Sequence, residues 1–592
     1  MDLKLSMYIL HHSSIRSVDH LGECLSKVGP GECNISLKLH RTKCGRLITN
    51  VFGPTYLQEI VNAVGRTHYS LIIDESTDVS VNKYLAICVR YFNGTSLTVT
   101  NDFLGLVEVE RATAVDLHAL LINFLQKIGL PLQNMIALGT DGGANLCGRN
   151  NSVFTLLQND VPNLILLKCI CHSIHLCSSK ASSELPSCLD FLCREIYNWF
   201  SNSPLRKIEY RKIYDLININ ENRSFKNFVK LSPTRWLARF NVIDRIVDQW
   251  TELKTFFNMV GDKEKCYKAK TLADILNDNK ILMYLKFLLP LLQDNYKTNL
   301  MFQSDTCDVG SAYSQYFLTI ESLAQRVIKP LFLNSNSTQI MPTDSKLQVI
   351  NRIKQAVEND MAYLSLDSFD EKNEFKRRCF NFLKSLLREY LERIPSNIEI
   401  FDNIKFLNPV YALNKQHNVF SLLPINKFIL QNESMATIEN QWRKLALVEW
   451  QYEFNNKVVP NNILQFWPGV YNYKDGSGQQ IFKELATVVL RVLSLPVGNA
   501  TVERCFSIMN IVKTKIRNRM KLSTLSAIIR TKIYCYNRNI CCKNFVASEE
   551  MFALFNSSMY SDSGDNANAN TSNNDENSEI ETMLNIVTSV DE

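Results

Sequence analysis

The chain of 592 residues has no apolar run long enough to cross a bilayer. Its opening stretch, Met1-Asp-Leu-Lys-Leu-Ser-Met-Tyr-Ile-Leu10, holds too short an apolar core for a secretory signal. These absences point away from the membrane and from secretion, so a soluble protein of the cytoplasm or nucleus is expected. There is no Gly-Lys-Ser/Thr triplet, which excludes a nucleotide-binding P-loop. The 17 Cys are scattered and fit a reducing compartment, where they serve mostly as small core residues. Near the N-terminus, Cys24, Cys33, His40 and Cys44 lack zinc-finger spacing. No internal repeat is apparent.

Basic residues are missing after Lys543, where ten Asp and Glu occur. Taking those ten acids out of a net charge of +6 leaves +16 on residues 1–543. A basic body suits a polyanionic partner, although a solvated surface with an acidic tail reads equally well from charge alone. With 46% hydrophobic and 21% charged residues, the chain is globular in composition. Residues 557–577 are rich in Ser, Asn and Asp and nearly free of large apolar side chains. They cannot bury enough surface to offset their ordering entropy, so disorder is expected there.

Between residues 69 and 177 strand and helix patterns alternate. Runs ending at Asp74 and Asp141, and the segments 84–92, 96–107 and 164–169, read as strands. Residues 113–127, with Val115, Leu117, Leu120, Leu121 and Phe124 at helical spacing, and 152–158 read as helices. Three strands, helix, strand, helix, strand is the order of a ribonuclease-H-like sheet, in which Asp74 and Asp141 end neighbouring strands. From 251 to 480 the patterns are helical, for example at 281–289, 374–394 and 436–450.

Three carboxylates stand out. Asp74 ends Tyr69-Ser-Leu-Ile-Ile-Asp74, Asp141 ends Met135-Ile-Ala-Leu-Gly-Thr-Asp141, and Glu503 lies in Ala500-Thr-Val-Glu503-Arg-Cys-Phe-Ser507, in the first turn of a helix opened near Asn499. Such a set can hold two divalent cations for phosphodiester chemistry, because hard cations prefer oxygen ligands. Locally each has an ordinary reading as well: turn residues for the two Asp, helix-dipole complement for Glu503. Cys169, Cys171, His172, His175 and Cys177 cluster in sequence but not at finger spacing, and zinc is not expected. Arg504, Lys513, Lys515, Arg517, Arg519 and Lys521, interleaved with apolar residues, present a basic face to nucleic acid or to solvent.

In order along the chain, Ile72-Ile-Asp74-Glu-Ser-Thr-Asp78, Thr140-Asp141-Gly-Gly-Ala-Asn145, Cys169-Ile-Cys-His172, Pro233-Thr-Arg-Trp236, Phe466-Trp467 and Leu495-Pro496 leading to Glu503-Arg-Cys-Phe-Ser507 resemble the hAT transposase superfamily over roughly residues 40–540. The Asp-Glu-Ser-Thr-Asp variant is similar to the branch that includes transposase-derived host proteins. The resemblance implies an α/β ribonuclease-H-like mixed sheet interrupted by a large all-α insertion. It implies Asp74, Asp141 and Glu503 as catalytic metal ligands for two Mg²⁺ (or Mn²⁺) ions. It further implies Cys169, His172, Arg235 and Trp236 as DNA contacts, with the Trp stacking on an extruded base. It also implies a C-terminal segment, including Ile511, Ile516, Leu522, Leu525 and Ile528, that packs against a second copy. The N-terminal BED-type finger of many relatives is missing from the pattern, and Val497-Gly498 departs from the common form.

The expected organisation is an N-terminal segment 1–45, the first part of the core 46–250, the insertion 251–480, a core helix with the dimerisation segment 481–550, and an acidic tail 551–592. The expected function is that of a hAT-type transposase or transposase-derived DNA-binding protein. It would act in the nucleus as a homodimer or higher homo-oligomer, without membrane association, cutting and joining DNA if active. A domesticated, non-enzymatic dimerising protein with chromatin partners is the alternative.

Overall fold

The computed structural model describes residues 1–27, 38–65, 67–221, 223–231, 239–263, 266–304, 309–333, 346–364, 374–395, 397–415, 419–454, 457–514 and 518–560. The chain divides into two units, Gln58–Leu525 and a smaller one of Met1–Leu57 with Ser526–Glu592.

The larger unit is built on five strands: β1 (Tyr69–Thr77), β2 (Lys83–Asn93), β3 (Thr98–Glu108), β4 (Met135–Thr140) and β5 (Ile165–Lys168). Their order is β3-β2-β1-β4-β5. The β1–β2 and β2–β3 pairs are antiparallel, and the β1–β4 and β4–β5 pairs are parallel. This is the mixed ribonuclease-H-like sheet that the sequence pattern leads one to expect. Residues 69–73 and 84–91 are buried without alternation, as in a sheet covered on both faces. Arg90 tolerates its place in that run because its guanidinium donates to the Leu493 carbonyl at 3.1 and 3.3 Å and to Asn101 Oδ1 at 3.1 Å.

Helix α1 (Ala114–Ile128) makes the crossover from β3 to β4. Thr113 caps its start, accepting from the Asp116 amide, and Gly129 ends it at φ +78°. The short α2 (Ala144–Cys147) and α3 (Val153–Asp160), the latter opened by a Ser152/Thr155 capping box, lead to β5.

Beyond β5 the regular elements described in this unit are helices, beginning with α4 (Ile170–Ala181), α5 (Cys188–Ser201) and α6 (Pro204–Ile217), well before residue 251. The segments read as helices around 281–289 and 374–394 are Asn279–Gln303 and Glu374–Glu392. The third is Met435–Leu445, which stops short of Trp450; that indole donates to the Leu445 carbonyl at 2.8 Å. One hydrophobic core runs from Ala137 and Leu167 of the sheet through these helices to Leu495. The helices therefore share the core of the sheet. Phe466 and Trp467 belong to that core, fully buried, with the Trp467 indole donating to the Leu407 carbonyl at 2.8 Å. Two last helices, α7 (Lys483–Leu493) and α8 (Ala500–Val512), return to the sheet, α8 packing on β1, β2 and β3.

In the smaller unit, the chain around Gly53 runs so close to Ala527 that a Cβ on Gly53 would meet the Ala527 Cβ at 2.8 Å. Tyr56 and Tyr534 stack at 4.2 Å. Residues 551–560, expected within the tail, are folded. Helix Glu549–Leu554 and the turn Ser557–Tyr560 are ordered, because Met551 and Met559 are buried and Asn50 donates to the Met559 carbonyl at 2.6 Å. Residues 561–592 lie outside the described part.

Candidate functional site

Asp74 stands near the end of β1, paired with Ala86 of β2, where the fully buried Leu71, Ile72 and Ile73 give way to partly exposed residues. Its Oδ1 accepts from the Glu75 amide at 2.8 Å. Burial, followed by the charge of Asp141, raises the carboxyl to about 8; Cys169 and Glu503 push the same way and the Glu75 amide opposes them. Perturbation of this kind, by burial and a neighbouring carboxylate, clusters at functional sites.

Asp141 directly follows β4. Its Oδ1 accepts from the Gly143 amide at 2.8 Å, and Thr140 Oγ1 accepts from the Gly142 amide at 3.3 Å. The intervening Gly142 has φ +105°, a conformation that only glycine adopts without strain, so the Gly-Gly pair is what folds this turn. Asp74 and Asp141 line one open cavity of about 430 Å³, together with Glu75, Lys83 and Asn145. Lys83 faces Asp74's neighbour Glu75 in an ion pair across the hairpin.

Glu503 lies in the first turn of α8, its amide donating to the Asn499 carbonyl at 2.9 Å. Two contacts seat that helix. Gly139 of β4 leaves room for Pro496: a Cβ there would come within 3.0 Å of the proline ring. Cys505 meets Cys88 of β2 at 3.6 Å between sulfurs, both thiols fully buried. Glu503 does not line the Asp74–Asp141 cavity but acts on it through its charge.

Cys169 caps α4, and its amide donates to the Thr140 carbonyl beside Asp141 at 2.8 Å. The thiol is held below its ordinary range, first by Cys171 and then by the His172 and Asn499 amides, against burial and the Glu503 charge. His172 packs against the Asp141 turn, with its ring carbon 3.9 Å from where a Gly142 Cβ would sit. Asp74, Asp141, Glu503 and the Cys169/His172 pair thus come from four separate stretches of sequence to one end of the sheet. Arg235 and Trp236 lie outside the described residues, as do Cys33, Lys515, Ile516 and Arg517.

The donor set fits a hard divalent cation in part. Asp74 and Asp141 supply oxygens from one cleft, the kind of pair to which Mg²⁺ binds when substrate phosphates complete its shell. Among the described residues no three His, Cys, Asp or Glu side chains form a metal-sized group. The sequence reading missed Lys83, whose place in the cleft follows from the hairpin register Thr77↔Lys83 and has no local motif. Asp78, the last residue of the Asp74 motif, ties α8 to the hairpin through Lys513.

A split mixed sheet with carboxylates at the ends of its two central strands, completed by a distant C-terminal helix, defines a ribonuclease-H-like protein. Residues 24–152 match the model of the ZMYM1/FAM200 RNase-like domain, and residues 447–533 match that of the hAT family C-terminal dimerisation region. The first match spans Asp74 and Asp141 and the second spans Glu503. The chain belongs to the hAT transposase-derived proteins. Leu525 and Ile528, expected on an apolar surface for a second copy, are instead buried in the chain's own fold, whereas Ile511 is 72% exposed. Among the described residues no helix is long and apolar enough to cross a membrane.

Proposed function

We propose that this hAT transposase-derived protein binds DNA in the nucleus as a homodimer or higher homo-oligomer, and that Asp74 and Asp141 hold Mg²⁺ or Mn²⁺ there, with Glu503 adding negative charge. The observation that carries the reading is that Asp74 and Asp141, at the ends of the adjacent strands β1 and β4, line one open cavity, where burial and the Asp141 charge raise the Asp74 carboxyl. A bound cation supplies Lewis-acid polarisation of the phosphodiester and activation of the attacking oxygen. The chain's own residues do the remaining work. Asp74 and Asp141 would hold the cation, Asp141 oriented by the Gly143 amide, and His172 beside that turn would contact a strand phosphate. Hydrolytic cutting followed by attack of a 3′-hydroxyl is the matching chemistry. The +16 charge of residues 1–543 supports affinity for the duplex.

A second reading, a domesticated protein that dimerises and binds chromatin partners without catalysis, is supported by the match of residues 447–533 to the hAT C-terminal dimerisation region, which requires no catalysis. A strand-cleavage assay on pre-nicked and hairpin DNA with Mg²⁺ or Mn²⁺ separates the two. Metal-dependent cutting that Asp74→Asn abolishes supports the enzyme; intact DNA affinity with no cutting supports the binding protein.

A further inference from the structure

A second cavity, of about 690 Å³, opens between α5, α6 and the segment 223–231, which has no regular secondary structure. Its lining includes the rings of Tyr197 and Phe200 of α5, Tyr210 of α6, and Phe225 and Phe228 of segment 223–231. Phe200 and Phe228 stack at 5.3 Å with 16° between their planes, and Arg211 lies over Phe225 at 4.6 Å. Its rim carries Lys207, Arg211 and Lys212, all exposed, and none of the described residues lining it is acidic. Residues 204–230 hold seven Lys and Arg against three Asp and Glu. Arg211 also pairs with Asp215 at 2.9 Å, but that pair is exposed, and a phosphate can displace it.

We propose that this cavity receives an unpaired base of a single-stranded nucleic acid, whose flanking phosphates lie on Lys207, Arg211 and Lys212. A compact pocket with flat aromatic walls matches a planar ring, whereas an amphipathic peptide helix needs an elongated groove with anchors along it. Bases stack on aromatic side chains whatever their identity, and each stacked base contributes roughly 5- to 150-fold in affinity. The proposal rests on the nucleic-acid reading above and adds a strand-selective site apart from the acidic cleft.

The test is fluorescence anisotropy of the full chain with labelled oligothymidylate, oligouridylate and a mixed-sequence duplex, each titrated over a range of salt. Phe225→Ala should weaken single-strand binding about ten-fold and leave duplex affinity unchanged. Lys207→Gln with Lys212→Gln, both on the surface and harmless to folding, should lower the single-strand salt slope by about 1.4, at about 0.7 per phosphate contact. Preference for oligouridylate over oligothymidylate would identify RNA as the source of the base, and the reverse would identify DNA. Single-strand binding that neither variant alters overturns the proposal while leaving the duplex reading intact. So does a polyglutamate peptide that displaces the oligonucleotide and depends on the same residues. No binding to any of the three nucleic acids overturns both readings.

Discussion

Lys513 and Asp78 form an ion pair at 2.5 Å, with side chains only 2% and 1% exposed. Lys513 ends α8, its amide donating to the Met509 carbonyl at 2.7 Å, and its ammonium also meets the Tyr84 hydroxyl at 3.2 Å. Asp78 shapes the β1–β2 turn by accepting from the Ser80 and Asn82 amides at 2.8 and 3.0 Å. The helix that carries Glu503 is thereby fastened to the hairpin that carries Asp74.

Removing one partner should be costly. Asp78→Asn leaves a buried ammonium without its counter-charge and should lower unfolding free energy by about 3–5 kcal/mol in urea titration. Asp78→Leu with Lys513→Met should recover most of that loss. Burial raises the Asp78 carboxyl, but Lys513 and the two amides outweigh it and hold it below its usual range. A depressed carboxyl stabilises the fold above its unfolded pKa of about 3.9 and loses that contribution as pH falls through the folded value. The wild-type advantage over Asp78→Asn should therefore persist at neutral pH and shrink below about pH 4.

Asp74 should show the opposite sign. Its folded carboxyl is raised to about 8, so between about pH 4 and 8 the native state keeps a proton that the unfolded chain has released. Metal-free stability should fall across that window by an amount on the order of a few kcal/mol. Asp74→Asn should flatten the slope and melt higher than wild type at pH 8 in EDTA. Parallel melting curves for the two proteins would contradict this.

Gly142→Ala should strain the turn at φ +105° by about 1–3 kcal/mol and displace the Asp141 carboxylate. Calorimetry should record the lower melting temperature. Divalent-cation affinity should fall further than the stability loss accounts for.

Leu525 and Ile528 should behave as core residues. Leu525→Ala should cost about 2–5 kcal/mol of stability. Sedimentation of the folded fraction should show an unchanged oligomeric state, since the side chain is fully buried within the chain.

The sheet was legible because its signals are local. The apolar runs into Asp74 and Asp141 and the helical spacing of Leu117 and Leu121 need no tertiary context, and each strand begins or ends within a few residues of its expected place. What the sequence hid depends on pairing across distance. Lys83 enters the cleft by hairpin register, and Lys513 meets Asp78 only because α8 returns to the sheet. Leu525 and Ile528 have the composition of an interface and the burial of a core, and composition cannot distinguish these. The tail failed differently: Met551 and Met559 order the stretch that polar neighbours disguise.

The central claim is that Asp74 and Asp141 together form a divalent-cation site. Its most direct test is calorimetric titration of Mn²⁺ into the full chain at neutral pH, alone and with nicked DNA. The expected result is binding that DNA strengthens, that Asp74→Asn and Asp141→Asn each abolish, and that Glu503→Gln weakens. Mn²⁺ binding unchanged in Asp74→Asn, or none in wild type even with DNA present, would contradict it.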